Sequence, residues 1–407
     1  MQTSKANMER MVEEVPGSDW DAMQNFLSDS PWQHRPILQQ IGWDTSDLLG
    51  EHPDNFLLVD ETACTKKGKK SVGVARQWNG RLGKVDNCQV GVFTALGRES
   101  KVTLTNFRLF LPKEWTDNKR RCRRAHVPSE HIRPCSKIDL ALEMVEDAKA
   151  QGLNFGWVGA DGFYGRDSHF RRRLGDMELT YMVDIPKDTT IYSEDPKPGV
   201  PPKASNKGRS PIRLKASVKG VRLDKWLEKQ PDTAFEKITV RDTTKGYLIA
   251  QFLQRTIWLW DGKSPEAEKV HLIIRKDKGQ SQTTIKYSVS NASLETSIER
   301  LAYMQCQRYW IERAFEDSKS SAGMADYQVR GWRAWHHHMT LVALATLFML
   351  TTKIKHQKEY ELLSAADIKH LLSRFLPQRQ ISKQSVIEVI KERHRKRKKD
   401  IDLHSKT

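Results

Sequence analysis

The chain has 407 residues, enough to bury a sizeable hydrophobic core and to form two or three structural units. Its 68 Lys and Arg residues outnumber its 51 Asp and Glu residues, which gives a net charge of +17 and an isoelectric point near 9.5. Such a charge favours a polyanionic partner, and nucleic acid is the polyanion we expect. The five cysteines are odd in number and widely separated, so the sequence predicts neither a disulfide framework nor a zinc site.

Helices are expected in residues 1–50, and the pattern changes to strands from Phe56 onward. Short runs rich in β-branched residues continue to Leu111 with turns between them, which is typical of antiparallel hairpins. Ser136 then begins a helix with apolar residues on one face, and the strand from Phe155 follows it. Strands, a helix and a further strand predict a mixed sheet.

The segment from 186 to 290 predicts a β-rich insertion. A Pro-rich stretch at 196–202 marks a linker, because proline lacks a backbone donor and does not occupy central strands. Five runs after it have the composition of strands: 237–240, 247–252, 257–260, 270–275 and 284–289. We infer an insertion because the chain between Asp161 and Glu312 is far longer than one sheet connection needs.

Two long helices are expected after the insertion, at residues 297–319 and 332–355. The second contains the longest apolar stretch, Met339–Leu350, which is too short to span a bilayer, so no membrane contact is expected. The chain then ends in the basic run 391–399, which is typical of a solvated tail. Since the N-terminus also lacks an apolar signal segment, we expect a cytoplasmic protein.

Three carboxylates form the candidate catalytic set. Asp60 and Asp161 each end a short apolar run, so each should lie at the end of a buried strand. Glu312 lies in the first long helix, and Arg308 and Lys319 share its face. Two strand-end aspartates and a helix glutamate can hold two Mg²⁺ ions about 3.5–4 Å apart, a geometry that suits in-line displacement at a phosphodiester. The sequence therefore predicts metal-dependent cutting and joining of DNA.

Each of these acids has a competing interpretation. An aspartate after a strand often only begins a turn, which is the structural alternative for both aspartates. The nearest competing acids are Glu61, Asp167 and Glu316. Strand alternation should turn Glu61 away from Asp60, whereas Glu316 lies one helical turn beyond Glu312 and is expected to face the core.

The order Asp…Asp…Glu, with the pattern Ile-Glu-x-x-Phe-x-x-x-Lys around Glu312, resembles the insertion-sequence transposases of the DDE superfamily. More narrowly, it resembles the branch with a tyrosine–arginine–glutamate–lysine signature, whose last three members match in spacing. The tyrosine position falls on Gln305 here, which departs from that signature. The runs 59–62 and 159–165 resemble the family's other two signatures, so the likeness extends over about residues 50–350.

The resemblance implies an RNase H-like catalytic core of mixed α and β structure, interrupted by the β-rich insertion. The catalytic helix of this core is the one that carries Glu312. On this basis the chain divides into a helical N-terminal segment (1–50), the first part of the core (51–185), the insertion (186–290), the second part of the core (291–355) and a helical basic C-terminal tail (356–407).

The resemblance also implies a transposase, which cleaves DNA strands at the ends of a mobile element and transfers them into target DNA. Two Mg²⁺ ions, for which Mn²⁺ can substitute, would be held by Asp60, Asp161 and Glu312. The expected partner is double-stranded DNA, both element ends and target, on which the chain forms a homo-oligomer associated with the nucleoid. Two alternatives stay open: a non-catalytic DNA-binding protein derived from a transposase, and a nuclease of the same fold without strand transfer.

Basic residues are the candidate phosphate contacts. Arg308 and Lys319 are expected to hold phosphates beside the metal ions, in line with the resemblance, or else to neutralise the acidic helix face. A predicted loop carries a cluster that should also contact phosphates, or else form a plain solvated surface: Arg120, Arg121, Arg123 and Arg124.

Two aromatic groups also have two interpretations. Trp258 and Trp260 alternate on one predicted strand and share a face, where core packing is the commoner role and stacking on an unpaired DNA base is the alternative. The histidines at 336–338 point in three directions on a helix, so they cannot converge on one metal ion. We expect them to contact solvent or the DNA backbone.

Overall fold

Helices lie on both faces of a large central sheet, and apolar residues that alternate along the strands fill the space on each side. The structure is a computed structural model that describes residues 8–203, 210–243, 246–278, 283–377, 380 and 382–404. Its strands are β1 (Phe56–Thr65), β2 (Ala75–Asn79), β3 (Lys84–Arg98), β4 (Lys101–Leu109), β5 (Trp157–Ala160), β6 (Tyr181–Asp184), β7 (Thr190–Ile191), β8 (Val221–Arg222), β9 (Glu236–Thr243), β10 (Gly246–Leu259), β11 (Glu268–Lys278) and β12 (Thr283–Ser290). Its helices are α1 (Met8–Glu14), α2 (Trp20–Ser28), α3 (His34–Leu49), α4 (Lys113–Thr116), α5 (Lys119–Arg124), α6 (Lys137–Ala150), α7 (Gly162–Gly165), α8 (Ser168–Asp176), α9 (Leu223–Leu227), α10 (Ile298–Gln307), α11 (Tyr309–Ser320), α12 (Trp332–His356), α13 (Ala365–Phe375) and α14 (Lys383–His404).

The central sheet is mixed. Its described strands follow the order β2-β3-β1-β5-β6-β12-β11-β10-β9, and β4 pairs with β3 on the same side as β2. Strand β1 is parallel to β5, and β5 to β6, while β1, β3 and β4 are antiparallel neighbours. Antiparallel strands followed by parallel strands, in the order β4-β3-β1-β5-β6, are compatible with the RNase H-like fold predicted from the sequence.

Strand β1 shows how the two faces of the sheet are filled. Phe56 and Leu58 pack on the face covered by α3, α11 and α12, whereas Leu57 and Val59 pack on the opposite face, under α6 and α8. All four side chains are fully buried, and each such burial contributes roughly 1.5–3 kcal/mol. Because side chains alternate along a strand, Asp60 falls on the α11–α12 face.

The β-rich insertion does not form a sheet of its own. Strand β12 pairs with β6 of the core, so β9 to β12 extend the central sheet across its second edge. The two predicted strands at 247–252 and 257–260 are one continuous strand, β10, which the sequence analysis divided wrongly. A separate small sheet of β7 and β8 lies within the same segment of the chain.

The first long predicted helix is interrupted. Helix α10 ends at Gln307 and α11 begins at Tyr309, with Arg308 between them, so the prediction of one helix over 297–319 was wrong. The second is confirmed as α12, and Ser136 closes the capping box of α6 as its sequence predicts. Over the described ranges, no helix is both long and apolar enough to cross a bilayer.

Candidate active site

Three aspartates lie where the parallel pairing of β1, β5 and β6 ends. Asp161 directly follows β5, and Asp184 ends β6. Asp60 follows the part of β1 that pairs with β5, but β1 continues to Thr65, so the prediction that Asp60 lies at the end of a strand was wrong. The residues two positions before the three aspartates are Leu58, Gly159 and Met182. Leu58 and Met182 belong to the core on the face covered by α11 and α12, and Gly159 lies opposite Leu58 in the sheet. Strand alternation therefore directs all three carboxylates to that face.

Arg308 connects this sheet face to helix α11. Its Nε lies 2.9 Å from Oδ2 of Asp184, one Nη donates to Oε1 of Glu312 at 2.8 Å, and the other lies 3.8 Å from Oδ2 of Asp60. The guanidinium is mostly buried, with 18% of the side chain exposed. One planar cation thus contacts carboxylates from β1, β6 and α11. Arg308 can reach all three because it lies at the break between α10 and α11.

Asp60 carries the strongest electrostatic perturbation in this site. Burial, together with the negative charge of Asp161, raises the pKa of Asp60 to about 8, although Arg308 opposes the shift. Its Oδ1 accepts a hydrogen bond from the backbone N–H of Glu61 at 2.7 Å. Burial and the charge of Glu61 also raise the pKa of Asp161. Asp60 therefore favours a proton, or another cation, at neutral pH.

Asp161 has a structural role in addition to any chemical one. It caps the short helix α7, where its Oδ1 accepts the backbone N–H of Phe163 at 3.0 Å and of Tyr164 at 3.5 Å. Gly165 ends this helix, and a Cβ there would collide with the carbonyl oxygen of Asp184. Only glycine allows α7 to lie this close to β6, which fixes two of the acidic strand ends relative to each other.

The competing acids have partners outside the carboxylate cluster. Glu61 faces the opposite side of the sheet, where Lys137 lies 2.7 Å from it and the hydroxyl of Tyr164 donates to it at 2.8 Å. Asp167 caps α8 through the N–H of Phe170. Glu316 does not face the core, contrary to the sequence analysis: it is 64% exposed and pairs with Arg313.

Lys319 lies on the same face as Asp60. Its Nζ donates to Oγ1 of Thr62 at 2.7 Å, and Thr62 stands two residues after Asp60 in β1. Burial lowers the pKa of this ammonium group. In the structure Arg308 and Lys319 both contact other protein groups. That they hold phosphates stays a prediction.

The sequence analysis missed a chain of hydrogen bonds behind Arg308. The hydroxyl of Ser288 in β12 donates to Oδ1 of Asp184 at 2.5 Å, and the amide of Gln305 donates to that hydroxyl at 2.8 Å. Asp184 had a usable signal, since Tyr181–Asp184 is a third short apolar run that ends in aspartate. Gln305, which departs from the tyrosine of the signature, is 5% exposed and belongs to this chain of hydrogen bonds.

The donor set suits a hard divalent cation. Carboxylate oxygens are the ligands that Mg²⁺ prefers, and burial beside Asp161 raises the pKa of Asp60, so a bound cation would favour the charged form of this carboxyl. Within the part of the chain that the structure describes, no group of three or more His, Cys, Asp or Glu side chains is already arranged around a metal position. The guanidinium of Arg308 instead lies among the carboxylates.

The basic cluster predicted in a loop forms a short helix instead. Helix α5 begins after Asn118, whose side chain caps it, and carries exposed Arg120, Arg123 and Arg124. Arg121 is turned inward, where its guanidinium lies 3.8 Å from the ring centroid of Trp115. Among the described residues, no contact joins α5 to the carboxylates.

Trp258 and Trp260 are not next to the carboxylates in the sheet, because β12 and β11 separate β10 from β6. Both are half-buried. Trp258 lies near the end of β10, where Nζ of Lys269 is 5.3 Å from its ring centroid, and Trp260 lies beyond the strand and donates to the carbonyl of Ser264. Base stacking by these two residues remains a prediction.

The expectation that the three histidines contact solvent or the DNA backbone was wrong for His336 and His337, which are fully buried in α12. His338 is half-buried. His337 lies 2.9 Å from the carbonyl oxygen of Leu27 and 2.8 Å from that of Trp32, and it stacks on the Trp32 ring. Each imidazole contacts a different carbonyl, in keeping with the expectation that they do not share a metal ion.

Comparison with known proteins places the chain in a family. It belongs to the DDE superfamily endonucleases, whose family model matches residues 1–247. The matched range includes Asp60 and Asp161 and ends before Glu312. The chain is also similar to the probable transposase for insertion sequence element IS701 of Microchaete diplosiphon, with 29% identity over 165 residues. That alignment covers 40% of this chain and 40% of the relative's length.

Proposed function

We propose that the chain is a transposase, which cleaves DNA at the ends of a mobile element and joins the freed 3′ end to target DNA. The observation that supports this most is the contact of one guanidinium, Arg308, with carboxylates from three separate elements. Membership of an endonuclease family and similarity to a probable transposase support the same reaction class.

Asp60, Asp161 and Glu312 are the proposed ligands of two divalent ions, Mg²⁺ or Mn²⁺. Such ions would supply the Lewis acidity that activates water or a 3′-hydroxyl and stabilises the leaving oxygen. Asp60 lies within β1 and Asp161 caps a helix, so their oxygens have little freedom. Glu312 is 51% exposed and lies on a helix, so its side chain can reorient as DNA arrives.

The cationic side chains have proposed roles around this set. Arg308 neutralises the carboxylates in the absence of DNA, and it offers planar donors to a phosphate when a metal ion replaces it there. Lys319 lies next to β1 and acts as a point charge for a phosphate near Asp60. The proposed partner is double-stranded DNA, bound by a homo-oligomer of the chain in the cytoplasm at the nucleoid.

The test is a binding and cleavage assay on duplex DNA that carries the inverted repeats flanking the coding region. Nicks at the repeat boundary that require Mg²⁺ or Mn²⁺, followed by a joined product, support the transposase. Nicks without any joined product favour a nuclease of the same fold. Tight binding without nicks under either metal favours a non-catalytic DNA-binding protein and overturns the proposal.

A further inference from the structure

We propose that the β2–β3 hairpin, the basic turn at residues 66–70 and helix α5 form one surface that binds duplex DNA, with Trp78 of the hairpin lying against the DNA. We call it the hairpin surface. The inference rests on the proposed function, from which it takes DNA as the partner. It places that DNA on a surface outside the carboxylate site.

The hairpin exposes an aromatic side chain at an edge of the central sheet. Trp78 pairs across the strands with Val85, and the two side chains are 56% and 49% exposed. Arg76 lies two residues earlier in β2 and therefore on the same face. An exposed tryptophan that has an arginine next to it on one strand face is a combination typical of nucleic-acid contacts, since the ring stacks on an unpaired or terminal base and the cation meets phosphate.

Hydrogen bonds connect the basic turn to both neighbours. The side-chain amide of Asn87 in β3 donates to the carbonyl oxygens of Lys66 at 2.5 Å and of Gly68 at 3.1 Å. On the other side, Arg121 of α5 donates to the carbonyl oxygen of Lys69 at 2.8 Å. The hairpin, the turn and α5 are therefore one connected unit of structure.

The exposed cations of this surface have no ion-pair partners in the part of the chain that the structure describes. None of them forms an ion pair with a carboxylate there: Lys67, Lys69, Lys70, Arg76, Arg120, Arg123 and Arg124. Lys66, also in the turn, is half-buried rather than exposed, and its Nζ lies 3.4 Å from the ring centroid of Tyr327. A dense set of such cations beside an exposed ring fits a polyanion with stacked bases, which is DNA.

The hairpin surface lies on the same side of the sheet as the carboxylates. The register places Val85 and Asn87 of β3 on the face that carries Asp60 and Thr62 in β1. The side chain of Asn79, at the hairpin turn, donates to Thr65 at the end of β1. DNA held by this surface therefore lies on the sheet face that carries Asp60.

The experiment measures binding of the full chain to a labelled duplex of the element end at several salt concentrations. Trp78→Ala should weaken binding roughly 5- to 100-fold, the factor that corresponds to loss of one stacked base, whereas Trp78→Phe keeps a ring and should retain most of the affinity. Tyr360→Ala is the matched control, since Tyr360 is 60% exposed and lies outside the surface.

The lysines of the turn give a second, independent readout. Replacing Lys67, Lys69 and Lys70 by Gln should lower the salt slope of binding by about 0.9 for each phosphate that the variant no longer neutralises. A control with the same change of charge, Lys229, Lys355 and Lys358 to Gln, should leave the slope nearly unchanged.

The outcomes separate this inference from the proposed function. If Trp78→Ala and the turn variant both bind like the parent, or if Trp78→Ala changes only the self-association of the chain, the hairpin surface is not a DNA site. If both variants lose affinity but saturating DNA restores the parent's cleavage rate, the inference is supported. Loss of affinity in variants of a parent protein that cleaves nothing supports the inference and overturns the proposed function alone.

Discussion

Arg308 and Asp184 form the ion pair on which the arrangement of the candidate site depends. The Nε of Arg308 lies 2.9 Å from Oδ2 of Asp184, and this contact turns the two Nη atoms toward Asp60 and Glu312. Ser288 holds the other oxygen of Asp184 at 2.5 Å. Asp184 is therefore fixed from behind, and it orients a cation that touches the proposed metal ligands.

Asp184→Ala should lower the rate of metal-dependent cleavage by about 10- to 100-fold. Asp184 orients Arg308, which contacts the proposed metal ligands, and removal of a residue that supports metal ligands usually has an effect of this size. Asp184→Asn should cost less, because its carbonyl oxygen still accepts one of the two hydrogen bonds. The rate at saturating DNA and the dissociation constant for DNA are both measured. A positioning role predicts a loss of rate with little change in affinity, so a parallel loss of affinity, or a parent-like rate in Asp184→Ala, contradicts it.

Removing a proposed metal ligand should abolish catalysis and spare binding. Asp60→Asn, Asp161→Asn and Glu312→Gln should each reduce metal-dependent nicking by roughly 10³-fold or more, because several kcal/mol of transition-state stabilisation are lost. Gel shifts should show nearly unchanged affinity for the duplex. Glu316→Gln is the matched control on the same helix, where the carboxylate is exposed and pairs with Arg313. Nicking that survives Glu312→Gln but not Glu316→Gln would move the third carboxylate by one helical turn.

An apolar run that stops at an aspartate is a local pattern, and Asp60 and Asp161 became candidates in this way. The pattern located the end of β5 but not the end of β1, which continues past Asp60 to Thr65. The alternation of β1 correctly turned Glu61 to the opposite face. Asp184 shows the same pattern and was missed because no family signature accompanies it. The approach of β12 to β6, which brings Ser288 to Asp184, depends on pairing between distant segments and leaves no local trace.

Other errors came from tertiary contacts that override local composition. A run of basic residues reads as a solvated loop, yet Arg121 packs on Trp115 and the segment is helical. Consecutive histidines are expected to be exposed, yet α12 is covered on several sides and buries His336 and His337. Helical periodicity also continues through Arg308, so the break there could not be read from the sequence.

His337 should be important for docking of the N-terminal helices on the core. Its two ring nitrogens lie within hydrogen-bonding distance of the carbonyl oxygens of Leu27, near the end of α2, and of Trp32, which follows it. His337→Ala should lower the free energy of unfolding by about 1–3 kcal/mol, because the neutral ring donates its one N–H to a carbonyl oxygen that then loses its donor, and because the ring no longer stacks on Trp32. Urea unfolding measures this, with Leu344→Ala as an exposed control on the same helix. Equal midpoints for the two variants would show that the His337 hydrogen bonds add no stability.

The raised pKa of Asp60 predicts a pH dependence of a defined sign. In the folded protein the pKa is about 8, against 3.8 for an unperturbed aspartate, so the folded state holds a proton that the unfolded state releases between these values. This contribution to stability is complete below about pH 4 and is lost as the pH rises through about 8, at up to about 1.4 kcal/mol per pH unit. In metal-free protein, stability relative to Asp60→Asn should therefore fall with rising pH.

Divalent ions should reverse this trend, since a cation bound by Asp60 replaces the proton. Thermal unfolding with and without Mg²⁺ checks it: the increase in Tm should be larger near pH 8.5 than near pH 6, because at the lower pH the ion must first displace a proton. Asp60→Asn should remove most of the increase at both values. An increase in Tm that is equal at the two pH values in the parent protein would show that Asp60 does not exchange a proton for the ion.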